Sequence, residues 1–236
     1  MSNVDDTRRD FLKSAVLGGA AAAAATAPLT GLAQPAAKVP DGAPAKGYQY
    51  LRPAESAFVE ALVDHMVPAD ALSPSGTGLG INIFIDRALA GSWGRGDRLY
   101  RQGPWKTGVP SQGYQLPLTP AELYRAGIEA TNAHCAKAYG KPFDALSAAQ
   151  REEVLKGLEG GTIVFEKGPP ARAFFVTVYQ TVMEGMFADP IHGGNAGKAA
   201  WKMIGFPGVV ATHTRNITTY KNKRFPGEPL GIADVS

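Results

Sequence analysis

The sequence predicts a mainly α-helical fold: a compact, irregular domain of about five to six helices, with long loops and little or no sheet. Three observations support this class. Apolar residues recur at helical spacing in several segments. Two capping boxes and several prolines mark helix starts, and glycines mark helix ends. The 28 glycines and 18 prolines among the 236 residues cluster between those segments, which predicts the long loops.

The first 33 residues have the features of an export signal. A twin-arginine pattern lies near the N-terminus and comprises Arg8, Arg9, Phe11, Leu12 and Lys13. A weakly apolar, alanine-rich run follows it, and small residues before Ala33 predict cleavage after that residue. Residues 34–49, rich in Pro, Ala and Gly, are predicted to form a linker. Because the twin-arginine route carries folded proteins, this signal favours a chain that acquires a cofactor or a partner before export.

The first two helices are predicted from apolar stripes. Pro53 suits the first turn of a helix whose apolar face includes Phe58 and Met66, and Pro68 ends that helix. The second helix covers residues 81–90, whose apolar side chains share one side. The Gly/Ser/Pro loop between the two helices contains no dinucleotide-binding fingerprint and follows no strand.

Capping boxes predict the next two helices. Thr-Pro-Ala-Glu at 119–122 begins a helix that runs to about residue 139 and stops at Gly140. Ser-Ala-Ala-Gln at 147–150 begins another, which the Gly-Gly pair at 160–161 ends.

The last long helix is predicted at residues 171–187, after a Pro-Pro pair, and a shorter one at 196–204 with Gly205 as its stop. The β-branched runs at 162–165 and 175–178 also suit a strand. Neither run alternates with polar residues, so helix is predicted for both.

The segment from Trp93 to Leu118 is predicted to be a long, ordered loop. It is rich in aromatic residues and arginine, including Trp93 and Trp105. Such residues are enriched at protein interfaces, although they also suit the chain's own core or contact with a sugar. A formal net charge of +3 is too small to favour a nucleic-acid partner.

Residues 189–208, DPIHGGNAGKAAWKMIGFPG, combine more special backbone requirements than any other segment. Gly193, Gly194 and Asn195 tolerate positive φ. Trp201 has a large apolar surface and one N–H that needs an acceptor. We therefore predict a shaped, rigid loop with an aromatic anchor at the end of the last long helix.

This string resembles the signature of the gluconate 2-dehydrogenase subunit 3 family, and the resemblance extends loosely over residues 50–208. Members of this family are small, gamma-type subunits of membrane-bound flavin-dependent gluconate, glucose and fructose dehydrogenases. The resemblance implies a subunit with no catalytic residues, cofactor or metal of its own. It places FAD on a catalytic partner subunit and haem c on a multi-haem cytochrome subunit.

The resemblance and the export signal together suggest a role. We expect this chain to support the folding of the FAD-bearing subunit and to carry it through the twin-arginine translocase. The complex would then lie in the periplasm, associated with the inner membrane. The residues expected at the partner interface are Asp189, His192, Gly193, Gly194, Asn195, Trp201, Lys202, Phe206, Pro207, Trp93 and Trp105.

Cys135 is the only cysteine, so it cannot form a disulfide within the chain. In an exported protein a single cysteine suggests an inter-subunit disulfide or a free thiol. Its position in the middle of a predicted helix also suits simple burial. Catalysis with His134 is not expected, because adjacent helical residues do not face each other.

Asp189, His192 and His213 are the only set that suits a metal or a hydrolytic site, and a polar network that fixes the loop is the preferred interpretation. Two functions therefore stay open beside the accessory subunit: an independent exported hydrolase, and a periplasmic sugar-binding module that uses the aromatic loop. Residues 209–236 are basic and lack an apolar period, which predicts an extended tail that either wraps a partner or is solvated.

Overall fold

The computed structural model describes residues 46–106, 108–109 and 112–236. Within these ranges it contains eight α-helices, several short 3-10 turns, one isolated β-bridge and no strand. The predicted mainly helical fold with long loops is therefore confirmed. The predicted export signal, the cleavage site after Ala33 and most of the linker lie outside the described residues.

Three helices form the first part of the domain: α1 (Pro53–Met66), α2 (Ile81–Ala90) and the short α3 (Ser92–Arg95). Pro53 occupies the first turn of α1, as predicted. The buried carboxylate of Asp86 on α2 accepts three main-chain hydrogen bonds, from Gln49, Tyr50 and Leu51, at 2.7, 2.9 and 2.9 Å. These bonds fix the chain where it enters the fold.

The two helices predicted from capping boxes are α4 (Pro120–Tyr139) and α5 (Ala148–Gly160). The side chain of Thr119 accepts from the main-chain N–H of Glu122 at 3.2 Å, and the Glu122 carboxylate accepts from the Thr119 N–H at 2.7 Å. Such reciprocal bonds satisfy N–H groups that have no partner inside the helix. Both helices end at a left-handed glycine.

The core is centred on α6 (Ala171–Phe187). Phe174 packs edge-on against Tyr124 of α4, with ring centroids 6.1 Å apart. A Cβ added to Gly127 would lie 2.2 Å from the Phe174 ring, so this glycine lets α4 and α6 approach closely.

The prediction of a helix at residues 162–165 is wrong, because these residues form no regular element. The helix predicted at 175–178 is confirmed, as part of α6. Gly161 ends α5 in a left-handed conformation, and the chain folds back. Ile163 then packs over Gly157, where an added Cβ would lie 2.7 Å from its side chain. Of the β-branched residues here, only Ile163 packs in this way, and Val164 is 82% exposed.

The helix predicted at 196–204 is divided in two. Residues Ala196–Lys198 form a 3-10 turn, and only Ala199–Ile204 form α-helix, named α7. Gly197 and Lys198 have φ angles of 62° and 59°, which an α-helix does not accommodate.

Residues after Gly208 do not form the extended tail that the sequence predicts. They contain a 3-10 turn and the short α8 (Asn216–Thr219), and then return to the body. Gly208 and Leu230 form the parallel β-bridge, and the Leu230 N–H donates to the Pro207 carbonyl at 3.0 Å. These contacts involve main-chain groups, so the hydrophobic pattern carries no signal for them.

Among the residues that the structure describes, none of the helices has both the length and the apolar character that a bilayer crossing requires.

Candidate functional site

The predicted rigid loop begins at Asp189, directly after α6. The Asp189 carboxylate accepts from the main-chain N–H of Ile191 at 3.1 Å and so caps the 3-10 turn Pro190–His192. Its other oxygen accepts from the N–H of Ile232 at 2.7 Å. Asp189 therefore fixes both the start of the loop and the last segment of the chain.

Glycines allow the loop to lie directly against two helices. A Cβ added to Gly194 would lie 2.1 Å from the carbonyl oxygen of Gly185 in α6. A Cβ added to Gly80, at the start of α2, would lie 2.4 Å from the carbonyl oxygen of Gly193. Real Cβ atoms do not approach a carbonyl oxygen this closely, so both contacts require glycine.

Asn195 holds the loop closed from inside. It is fully buried and adopts the left-handed conformation, with φ at 49°. Its amide nitrogen donates to the Ala188 carbonyl at 3.0 Å, and its amide oxygen accepts from the Ala200 N–H at 2.9 Å. One side chain thus joins the end of α6 to the first turn of α7.

Trp201 is the aromatic anchor that the sequence predicts. Only 5% of its surface is exposed, and its indole N–H donates to the Phe187 carbonyl at the end of α6, at 2.8 Å. Phe206 packs edge-on against the indole, with centroids 5.2 Å apart. The side chains of Asn195 and Trp201 therefore make their contacts inside this chain and shape the loop from within.

Other predicted interface residues of the loop lie at the surface. His192 and Lys202 are exposed, and Gly193, Phe206 and Pro207 are half-buried. Their contact with a partner stays a prediction.

The segment predicted as a loop from Trp93 begins instead inside the short helix α3, and α3 and the long loop after it both expose aromatic side chains. Trp93 and Trp105 are each 41% exposed, and Tyr100 is 74% exposed. The Tyr114 hydroxyl donates to the Leu118 carbonyl at 2.6 Å, and burial raises the pKa of Tyr114 to about 12. Trp105, Tyr100 and Tyr114 line a depression of about 150 Å³. Tyr114 is thus held by a contact within the loop, and the described residues of the loop present a partly apolar surface.

The candidate metal or hydrolytic set is not assembled. The Asp189 carboxylate is occupied by main-chain N–H groups, and His192 is exposed. His213 is buried, with one ring nitrogen 3.0 Å from the Pro207 carbonyl and the other 3.0 Å from the Asn216 amide. Within the described part of the chain, no three His, Cys, Asp or Glu side chains are grouped to hold a metal ion.

Cys135 is a free thiol that is fully buried in α4. Burial raises its pKa to about 11, which disfavours the reactive thiolate. An inter-subunit disulfide through Cys135 would require the core to open. The second interpretation of this residue, simple burial, is the one that the structure supports.

Sequence reasoning missed the residues that receive the loop. The Leu79 carbonyl accepts from the Ala196 N–H at 3.0 Å, and Gly80 and Gly185 supply the close contacts. The sequence does hint at the role of Gly185. A glycine inside a helix costs stability, so its presence there indicates a close packing contact.

A protein-family model described as gluconate 2-dehydrogenase subunit 3 matches residues 53–208, about two thirds of the chain. The match begins at the first residue of α1 and ends where the loop ends. Comparison with curated proteins gives no significant match, and comparison with solved structures gives none either.

Proposed function

Because the chain belongs to the gluconate 2-dehydrogenase subunit 3 family, we propose that it is the non-catalytic small subunit of a flavin-dependent sugar or sugar-acid dehydrogenase. The observation that carries this proposal is the family match, which covers every helix from α1 to α7. The catalytic partner would hold the FAD, and a multi-haem cytochrome subunit would accept its electrons.

Two surfaces support a role in assembly. Helix α3 exposes Trp93, and the long loop after it exposes Tyr100 and Trp105. Exposed aromatic residues are enriched at protein interfaces. The loop after α6 is fixed by hydrogen bonds of Asn195 and Trp201. It exposes His192 and Ile191, the latter 51% exposed. A rigid surface loses little conformational entropy when a partner binds it.

The predicted twin-arginine signal supports a role in export. We propose that the catalytic subunit folds, binds this chain and leaves the cytoplasm with it for the periplasm. A signal of this kind on a chain that belongs to an accessory-subunit family would suit joint export of a folded complex.

The test of assembly is co-expression of this chain with a flavoprotein, whose gene we expect to find beside the gene of this chain. We expect the tagged chain to retain the flavoprotein, and we expect sugar or sugar-acid oxidation only in the complex. Oxidation or hydrolysis by the isolated chain, or the absence of a stable complex, would overturn the proposal.

The test of joint export replaces Arg8 and Arg9 with lysine, after which we expect both proteins to stay in the cytoplasm. The matched control, Arg172→Lys with Arg215→Lys, makes the same change at two exposed arginines outside the signal. Normal export of the flavoprotein in the signal variant would show that it travels by itself.

A further inference from the structure

A cleft of about 740 Å³ lies between the turn at 205–207 and the segment 223–229. The family match ends at residue 208, so one wall belongs to the matched domain and the other to the segment that follows it. This volume is in the range of sites that hold a small molecule or a few residues of peptide.

The charged residues that line the cleft are mostly cationic. Lys202, Lys223 and Arg224 face one acidic residue, Glu228, which pairs with Lys202 at 3.3 Å. Lys223 and Arg224 are exposed, and in the described ranges neither forms an ion pair. Two cations at one cleft without acidic partners create a positive potential that attracts carboxylates.

Aromatic and proline residues make the rest of the lining stiff. Phe225 packs edge-on against both Tyr220 and His213, with centroids 5.3 and 5.1 Å apart. Phe206 is held in the same way by Trp201. Grooves lined by aromatic rings are a common receptor for extended, proline-containing peptides.

We infer that this cleft binds an acidic, extended segment of a partner protein. The identity of that protein as the flavin-bearing subunit depends on the function proposed above, whereas the charge and shape of the cleft do not. A concave site between two walls suits a peptide chain better than a membrane surface, which would contact the exposed cations without entering the cleft.

The first test uses the full chain and a fluorescein-labelled peptide of alternating glutamate and proline, about ten residues long, followed by fluorescence anisotropy. We expect binding that weakens as salt rises, and at least tenfold weaker binding of the matched glutamine-proline peptide. The double variant Lys223→Glu, Arg224→Glu should lose at least tenfold in affinity.

The matched control is Arg215→Glu with Lys221→Glu. It makes the same change in net charge in the part of the chain after residue 208, but outside the cleft lining. It should change the affinity by less than about threefold. Equal losses in the two double variants would show a diffuse positive field and would overturn the inference, as would equal binding of the two peptides. Binding of phosphatidylglycerol vesicles without binding of the acidic peptide would also overturn it.

The second test repeats both double variants in the complex with the flavoprotein. We expect the cleft variant alone to weaken the complex. If the wild-type chain forms no complex, the proposed function fails. The peptide experiment still shows whether the cleft binds an acidic peptide. If the complex forms and the cleft variant leaves its affinity unchanged, the cleft does not bind that subunit and the inference fails by itself. Circular dichroism melts should show that both variants are folded.

Discussion

The main-chain N–H of Ile232 donates a hydrogen bond to the carboxylate of Asp189, with 2.7 Å between the two atoms and 43 positions between the residues. Lys198 also pairs with Asp234, whose carboxylate accepts from the Gly231 N–H at 2.6 Å. The loop at 189–208 is therefore attached to the C-terminal segment by two neighbouring carboxylates.

Asp189→Asn should loosen the C-terminal segment. A carboxamide has one accepting oxygen, and its NH₂ group would face a main-chain N–H that now binds a carboxylate oxygen. The loss is expected to be on the order of 1 kcal/mol, because the bond is charge-assisted but partly exposed. Hydrogen exchange at residues 228–236 should become faster.

The control for that experiment is Asp70→Asn. The Asp70 carboxylate also accepts two main-chain N–H bonds, from Leu72 and Ser73, but within its own exposed turn. The Asp70→Asn variant should leave hydrogen exchange at residues 228–236 unchanged. Unchanged exchange in both variants would mean that the Ile232 bond does not hold the segment.

Acid should release the same segment. The Lys198 ammonium, helped by the Gly231 N–H, holds the pKa of Asp234 below its usual range. A pKa that is lower in the folded state gives stability that is complete above the unfolded pKa of about 4 and is lost as the pH falls through the folded value. Pulsed hydrogen exchange between pH 6 and pH 3 should show earlier opening of residues 228–236 than of α4.

The variant Asp234→Asn is the control for this pH dependence, since it removes the titrating group. It should open the segment at pH 6 and flatten its response to acid. A segment that opens with the same pH profile in the variant and the wild type would assign the transition to other carboxylates.

The sequence predicts the helices well because their ends depend on neighbours in the chain. The Thr119–Glu122 capping box and the left-handed Gly140 involve residues a few positions apart, and both are formed as predicted. The loop at Asn195 is predicted as rigid for a similar reason, because positive φ restricts the residue types that a position accepts.

The parts that the sequence does not predict depend on contacts between distant residues. The bond from the Ala196 N–H to the Leu79 carbonyl uses main-chain atoms, which every residue except proline offers equally. The same holds for the bridge between Gly208 and Leu230. Trp201 is predicted as an anchor from its residue type. That its indole N–H binds this chain follows only from the position of the Phe187 carbonyl, which the sequence does not give.

Gly194→Ala should destabilise the fold strongly. The new methyl group would lie 2.1 Å from the Gly185 carbonyl oxygen, and that oxygen belongs to a helix that cannot move without disturbing the core. Overpacking of this kind costs about 1–3 kcal/mol or more. Chemical denaturation should show a lower midpoint with an unchanged slope.

Gly197→Ala separates crowding from backbone strain. Gly197 has φ at 62° and no neighbour within 4 Å of an added Cβ, so alanine there meets strain without a clash. The expected loss is about 1 kcal/mol. Equal losses at the two positions would contradict the close contact between the loop and α6.

Trp201→Phe should lower stability while leaving the partner-binding surface intact. The variant removes the N–H that satisfies the Phe187 carbonyl and leaves a small cavity beside Phe206. A loss of about 1–3 kcal/mol is expected from the unsatisfied carbonyl and the lost packing. Trp93→Phe is the matched change at a half-exposed indole and should stay within about 0.5 kcal/mol of wild type in denaturation.

Trp93→Ala should weaken co-purification of the flavoprotein, because an exposed aromatic residue contributes to binding rather than to the core. The opposite pattern, a stable Trp201 variant that no longer binds the flavoprotein, would show that the indole reaches the partner and that its burial in the single chain is not its main role.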